Sequence, residues 1–178
     1  MYQQVIESGK TPGRSFPRFG IVPLTEKIRT DTHSISVHPD FSELDLAKID
    51  GLVVASFCGR HLAAGYFDMP VSAVIIEAGY RGLAIVKKLT TVNYLDKIAT
   101  DPSMHGTGLG SELFKVVCQV TSDSVAWRAA KTNPANSWYS RLGMQIETPE
   151  WFVYLRNIDL EKTANLIDVI STLPRSVV

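Results

Sequence analysis

The run His105-Gly106-Thr107-Gly108-Leu109-Gly110 is where this chain is best equipped for chemistry, because it follows a predicted strand and opens a predicted helix. Glycines at such a junction let the backbone approach an anion, and the free amides and positive dipole end of the helix favour phosphate. The spacing is G-x-G-x-G rather than the G-x-G-x-x-G of dinucleotide folds, and the strands before it read as antiparallel, not as a βαβ unit. No Gly-Lys-Ser/Thr follows it at the spacing of a Walker loop. A turn needing positive φ would account for the glycines equally well. His33, His38, His61 and His105 are scattered, with no carboxylate or cysteine at metal-ligand spacing, so no metal is expected.

A strand must deliver the chain to this turn and a helix must carry it away. Residues 93–100 supply the strand. Residues 110–120 place Leu113, Phe114, Val116, Val117 and Val120 on a helix buried along one side. Upstream, residues 71–77 and 82–90 are β-rich, Gly79 and Gly82 supply a tight turn, and such short connections predict antiparallel pairing. Residues 33–37 read as a short strand. Ser42 or Asp45 then caps a helix with Leu46, Ile49, Leu52, Val53 and Phe57 on one face. Downstream, residues 124–131 form a strand, and Asn133-Pro134 opens a short helix over 135–142 that a left-handed Gly143 closes. Residues 151–156 are strand-like, and Asp159 opens an amphipathic helix through Leu160, Ala164, Ile167 and Ile170. The expected fold is α/β (α+β): a mixed, mainly antiparallel central sheet flanked by helices.

Gly9, Pro12, Gly13, Pro17, Gly20 and Pro23 break any long element in residues 1–26, which read as an arm or linker before one domain over 27–178. The chain has 178 residues, with 18 Lys plus Arg against 18 Asp plus Glu, so no bulk field favours nucleic acid or an anionic membrane. No apolar run approaches the ~18 residues of a membrane span. Cys58 and Cys118 sit far apart in apolar stretches and read as reduced core thiols, which predicts an intracellular, cytoplasmic protein.

The glycine turn between a strand and a helix of a mixed sheet resembles the pyrophosphate loop of the GNAT acetyltransferases. Tyr94-Leu95-Asp96-Lys97, the glycine loop, Trp127-Arg128, Asn133-Pro134 and Trp138-Tyr139 are similar, more specifically, to the acetyltransferase domain of vertebrate-type N-acetylglutamate synthase and its bifunctional synthase/kinase relatives. Ala55-Ser56-Phe57 and Leu173-Pro174 also fit, so the resemblance spans about residues 40–175. It implies a splayed strand pair, residues 94–100 and 124–131, with acetyl-coenzyme A in the wedge and no metal.

On that resemblance, backbone groups of Ile98, Ala99 and Thr100 pair with the pantetheine arm, and the loop His105, Gly106, Thr107, Gly108, Leu109, Gly110 and Ser111 holds the pyrophosphate. Tyr139 becomes the general acid for the departing thiolate, since a phenol near pKa ~10 stays protonated at neutral pH. Asn133 orients the substrate. Lys97, Arg128 and, on a loop whose alignment is one residue out of step, Arg60 meet the carboxylates of an amino-acid acceptor. The implied reaction is acetyl transfer to the α-amine of L-glutamate, as in arginine biosynthesis. Another small amine, or a weakly catalytic coenzyme A binding module, is the alternative. Two departures stand out. Relatives carry Trp-Arg-Ser-Arg where this chain has Trp127-Arg128-Ala129-Ala130, and the amino-acid kinase domain that usually precedes such a module is not read within these 178 residues, leaving such a domain or a homo-oligomer as the expected partner. The mitochondrial matrix is a second compartment the resemblance allows.

Overall fold

The computed structural model describes residues 26–29, 32–89, 92–159 and 163–178. Its strands are β1 (Glu26–Arg29), β2 (Ser34–His38), β3 (Ala73–Glu77), β4 (Gly82–Leu89), β5 (Val92–Thr100), β6 (Val125–Ala130), β7 (Met144–Glu147) and β8 (Trp151–Arg156). Its helices are α1 (Leu46–Ser56), α2 (Leu109–Val120), α3 (Asn136–Tyr139) and α4 (Thr163–Thr172). The strands form one sheet in the order β1-β2-β3-β4-β5-β6-β8-β7. Every neighbouring pair is antiparallel except β5 and β6, which run parallel and meet through the single pair Tyr94↔Ala126. Beyond that pair the two strands separate.

Alternation along the strands sends apolar residues to both faces, as a sheet covered on both sides requires. On one face Ile35, Ile75, Ala84, Val86 and Leu95 pack against Leu109, Leu113, Phe114 and Val117 of α2. On the other, Val74, Ile76, Leu83 and Ile85 meet Ile49, Leu52 and Val53 of α1, while Tyr94, Ala126 and Val153 meet Leu166 and Ile170 of α4. Each Val, Leu, Ile or Phe side chain among these, once buried, contributes about 1.5–3 kcal/mol. Helix α1 starts where Asp45 accepts a hydrogen bond from the Lys48 amide, so of the two expected caps it is Asp45 that acts. No helix among the described residues is long and apolar enough to cross a membrane.

Several local expectations are corrected. In the β3–β4 turn the left-handed residue is Tyr80, at φ 57°, not a glycine. That turn is held by the Glu77 carboxylate, which accepts from the amides of Gly79 (2.9 Å) and Arg81 (3.2 Å) and from the Arg81 guanidinium (2.9 Å). Gly82 is needed for packing, since a Cβ there would stand 2.8 Å from Leu109. The helix after Asn133 is only Asn136–Tyr139, and Gly143 is not among the residues with positive φ. A side chain at 143 would instead strike the Leu155 carbonyl at 2.8 Å and the Trp127 ring at 3.0 Å, so close packing explains that glycine. Strands β1 and β7 were not expected. Cys58 is exposed rather than in the core, because it closes α1 at φ 55°, while Cys118 is half-buried. The arm over residues 1–26, apart from Glu26, and Leu160 of the last expected helix lie outside the described residues.

Candidate active site

The parting of β5 from β6 opens a cleft of about 560 Å³. Its walls are Ile98, Ala99 and Thr100 of β5, the turn residues Met104, His105, Gly106 and Gly108, Leu109, Gly110 and Ser111 of α2, and Ala135, Trp138 and Tyr139 around α3. Nearly all the residues expected to hold a nucleotide are thus brought together. The turn is built stepwise. Asp101 accepts from the Ser103 amide at 2.8 Å and fixes a short turn at Pro102–Met104, after which Gly106 (φ 81°) and Gly108 (φ 88°) take the left-handed conformation. No atom lies within 4 Å of where a Cβ on either glycine would stand, so the loop faces open space. The first turn of α2 starts there, and the amides of Leu109, Gly110 and Ser111 lack carbonyl partners inside the helix by its geometry.

Two loop residues differ in detail from the expectation. Thr107 is exposed, with its amide (3.2 Å) and its hydroxyl (2.8 Å) both bonded to the Met104 carbonyl, and it does not line the cleft. His105 does line it, but its amide is given to the Pro102 carbonyl at 3.2 Å. The carbonyl of Thr100 accepts from Ser56 Oγ at 2.9 Å, which ties α1 to the end of β5.

Tyr139 is 7% exposed and faces the cleft from the far wall. Its ring is boxed edge-on by Trp127 at 5.9 Å and lies 5.4 Å from Tyr154, a contact set that fixes its rotamer. Burial, and secondarily Tyr154, raises its pKa above that of an ordinary phenol, so the hydroxyl is protonated at neutral pH. Among the described residues that hydroxyl has no hydrogen-bond partner, which leaves its proton available. Asn133 accepts from the Ala135 amide at 2.8 Å and so opens the α3 turn; it does not line the cleft.

Lys97 lies on the α1/α4 face of the sheet, buried at 5% exposure. Opposite Ile85 and Val86 the β4–β5 register shifts, leaving Asp96 as an extra residue of β5. This bulge turns Asp96 to the same region as Lys97, whose ammonium donates to the Asp96 carboxylate at 3.0 Å and to Ser176 Oγ. Tyr66 donates its hydroxyl to Asp96, and Lys87 stands 3.4 Å from the same carboxylate oxygen. Burial pushes the Asp96 carboxyl up, but Lys97 and Lys87 outweigh it and hold the carboxyl below its usual range. Burial dominates at Lys97 and lowers its pKa against the pull of Asp96. Arg128 is spent differently. Its guanidinium donates to the carbonyls of Ile170 (2.7 Å), Ser171 (3.1 Å), Leu173 (2.7 Å) and Pro174 (3.0 Å) and stacks on Trp151 at 4.2 Å. It closes the end of α4. Arg60 is exposed on the turn after α1 and does not line the cleft.

A parted parallel strand pair, with a glycine turn at its mouth and a tyrosine across it, invites comparison with known proteins. The family model for the N-acetyltransferase (NAT) domain of N-acetylglutamate synthase matches residues 36–172. The chain belongs to this family. Among relatives in it, "Acetylglutamate kinase" of Xylella fastidiosa is 33% identical over 100 residues, covering 56% of this chain and 23% of that protein. "Amino-acid acetyltransferase, mitochondrial" of Schizosaccharomyces japonicus is 28% identical over 130 residues, covering 60% and 26%. The chain therefore spans about a quarter of the length of these relatives. Among solved structures, a GNAT-family protein from Bacteroides thetaiotaomicron superposes with TM-score 0.61 at 16% identity, covering 80% of this chain and 99% of that one. The Escherichia coli ribosomal-protein-S18-alanine N-acetyltransferase gives 0.55 at 14% identity, covering 72% and 97%. These likenesses establish the GNAT fold.

Within that family frame, the residues that sequence reasoning missed are Tyr66, Lys87 and Ser176. Each reaches Asp96 or Lys97 from a distant part of the chain. The one local signal was a lysine at position 87 in a strand whose preceding five residues are apolar.

Proposed function

We propose that this domain transfers the acetyl group of acetyl-coenzyme A to the α-amine of L-glutamate. The observation that carries the proposal is the single-pair contact of β5 with β6 above the glycine turn, which leaves the β5 edge at Ile98, Ala99 and Thr100 without a strand partner on that side. An unpaired strand edge must find another hydrogen-bonding partner, and the amide-bearing pantetheine arm is one of matching shape. The open space over Gly106 and Gly108 and the first-turn amides of α2 suit a pyrophosphate.

The acceptor comes from the opposite side, where Lys97 offers a charge-assisted hydrogen bond to a carboxylate and Arg128 adds positive charge while holding α4. The neutral acceptor amine attacks the thioester carbonyl carbon and forms the C–N bond, the C–S bond breaks, the sulfur takes the proton of Tyr139, and the proton shed by the nitrogen passes through solvent to restore the Tyr139 hydroxyl. A β5 amide stabilises the oxyanion at little reorganisation cost. Asn133 supports the reaction through the α3 turn that carries Tyr139, and Arg60 is a candidate for long-range attraction of the acceptor. The proposed compartment is the cytoplasm, or the mitochondrial matrix for which several relatives are named. Since one relative is named for acetylglutamate phosphorylation, a kinase domain is the proposed partner.

The test is thiol release from acetyl-coenzyme A over a panel of amino acids. Glutamate should be the preferred acceptor. Turnover of another amine in its place would reassign the substrate, and coenzyme A binding without any turnover would make this a binding module.

A further inference from the structure

The face of the sheet between α1 and α4 carries more positive charge than its own residues neutralise. Lys87 and Lys97 both reach Asp96 Oδ2, at 3.4 and 3.0 Å, with side chains 10% and 4% exposed. Arg128 adds a third cation that Lys97 feels as a like charge, together with Lys87. Its own partners are neutral carbonyls. Against these three cations, Asp96 is the one carboxylate among the described residues drawn into the group.

Lys87 is the least well served of the three. Besides its share of Asp96 it has the Met69 thioether at 3.9 Å, a weak acceptor, and the face of the Tyr66 ring at 4.3 Å. A buried ammonium short of acceptors is costly, and a fold that keeps one beside a second ammonium has prepared a place for an anion.

We propose that Lys87 is a specificity-determining residue that binds the second carboxylate of a dicarboxylic amino-acid acceptor, with Lys97 holding the first. This deepens the function proposed above and rests on it. Because both ammoniums touch one oxygen, their separation cannot exceed the two contact lengths together, a span that the two carboxylates of a short dicarboxylic amino acid bridge. Ser176 Oγ, which accepts from Lys97 and lies 3.4 Å from Asp96, holds the place that a carboxylate oxygen would take. The tail carrying it pairs with the segment after α1 through few bonds, Ala63 N–H to the Ser176 carbonyl (3.2 Å) and the His61–Val178 exchange (3.0 and 2.9 Å), so it can yield.

The experiment compares glutamate with glutamine, its amide, as acceptors for wild type, Lys87→Met and Lys87→Arg, alongside calorimetric titration of acetyl-coenzyme A. Wild type should favour glutamate. Lys87→Met should reduce that preference at least tenfold through KM, leave the acetyl-coenzyme A affinity unchanged, and be partly rescued in Lys87→Arg. A purely structural role for Lys87 would depress both acceptors alike and leave the ratio unmoved, which would overturn the proposal while leaving the acetyltransferase reading intact. Should Lys87→Met fail to fold, inhibition of the wild type decides: glutarate must compete with glutamate more strongly than its monoamide does, and equal competition overturns the assignment. A wild type that turns over no amino acid at all would remove the underlying reading, and this one with it.

Discussion

Asp96 carries the heaviest electrostatic duty of any residue here, since one carboxylate offsets two buried ammoniums and also accepts from Tyr66. Asp96→Asn keeps the shape and removes the charge. Leaving buried ammoniums uncompensated should cost about 3–5 kcal/mol of stability, read as a fall in the urea midpoint. Tyr139→Phe should lower kcat by about a hundredfold, the low end of general-acid contributions, with acetyl-coenzyme A affinity unchanged; an unaltered kcat would strip Tyr139 of its role. His38 supplies a pH signature. It is buried, shares a hydrogen bond of 2.9 Å between Nε2 and Ser36, and has an Nδ1 without a partner among the described residues. Burial lowers its pKa below the ordinary 6.5, the opposing pull of Glu43 and Asp40 being smaller. The unfolded chain therefore protonates first as pH falls, so this part of the stability is complete above about 6.5 and is lost below it. Replacing His38 by leucine should flatten the slope of the unfolding free energy between pH 7 and 5; an unchanged slope would assign the loss to other groups. At this scale the sequence was informative where a motif is local, as at Tyr139 and the glycines, and silent where partners come from far along the chain. Nothing about Ser176 in sequence announces a contact with Lys97, 79 residues away.

Among the elements, α4 is the one whose placement depends most on a single side chain. Arg128 gathers four carbonyls at its C-terminal end, where a cation also suits the helix dipole. Arg128→Met should destabilise the protein by about 2–3 kcal/mol, the scale of hydrogen bonds to a charged group, and should speed amide exchange in residues 166–178 more than in α2. Equal exchange in the two would contradict this anchoring. The strands and the longer helices were readable because their periodicity is strong, as in α2 with Leu113, Phe114, Val116 and Val117 on one side. The four-residue strand β7 was not, since three of its residues are exposed and pattern reading needs a buried face. Gly143 looked like a helix stop, but its reason lies in tertiary packing against Leu155 and Trp127, which no local rule reports.

For the molecule as a whole, the proposed function depends on a defect in an otherwise continuous sheet. The strand order and the antiparallel hairpins from β1 to β5 build a rigid half, β6 to β8 build another, and they are joined through one bridging pair. That parting could be expected only through the family resemblance, because hydrophobic alternation looks the same in a paired strand and in one that diverges from its neighbour. The most direct measurement is hydrogen–deuterium exchange with and without acetyl-coenzyme A. Bound donor should slow exchange at Ile98, Ala99 and Thr100 and across Gly106–Ser111, while leaving the β2–β3 pairing unchanged. Unaltered exchange at both of those sites under saturating acetyl-coenzyme A would contradict the placement of the donor between β5 and β6.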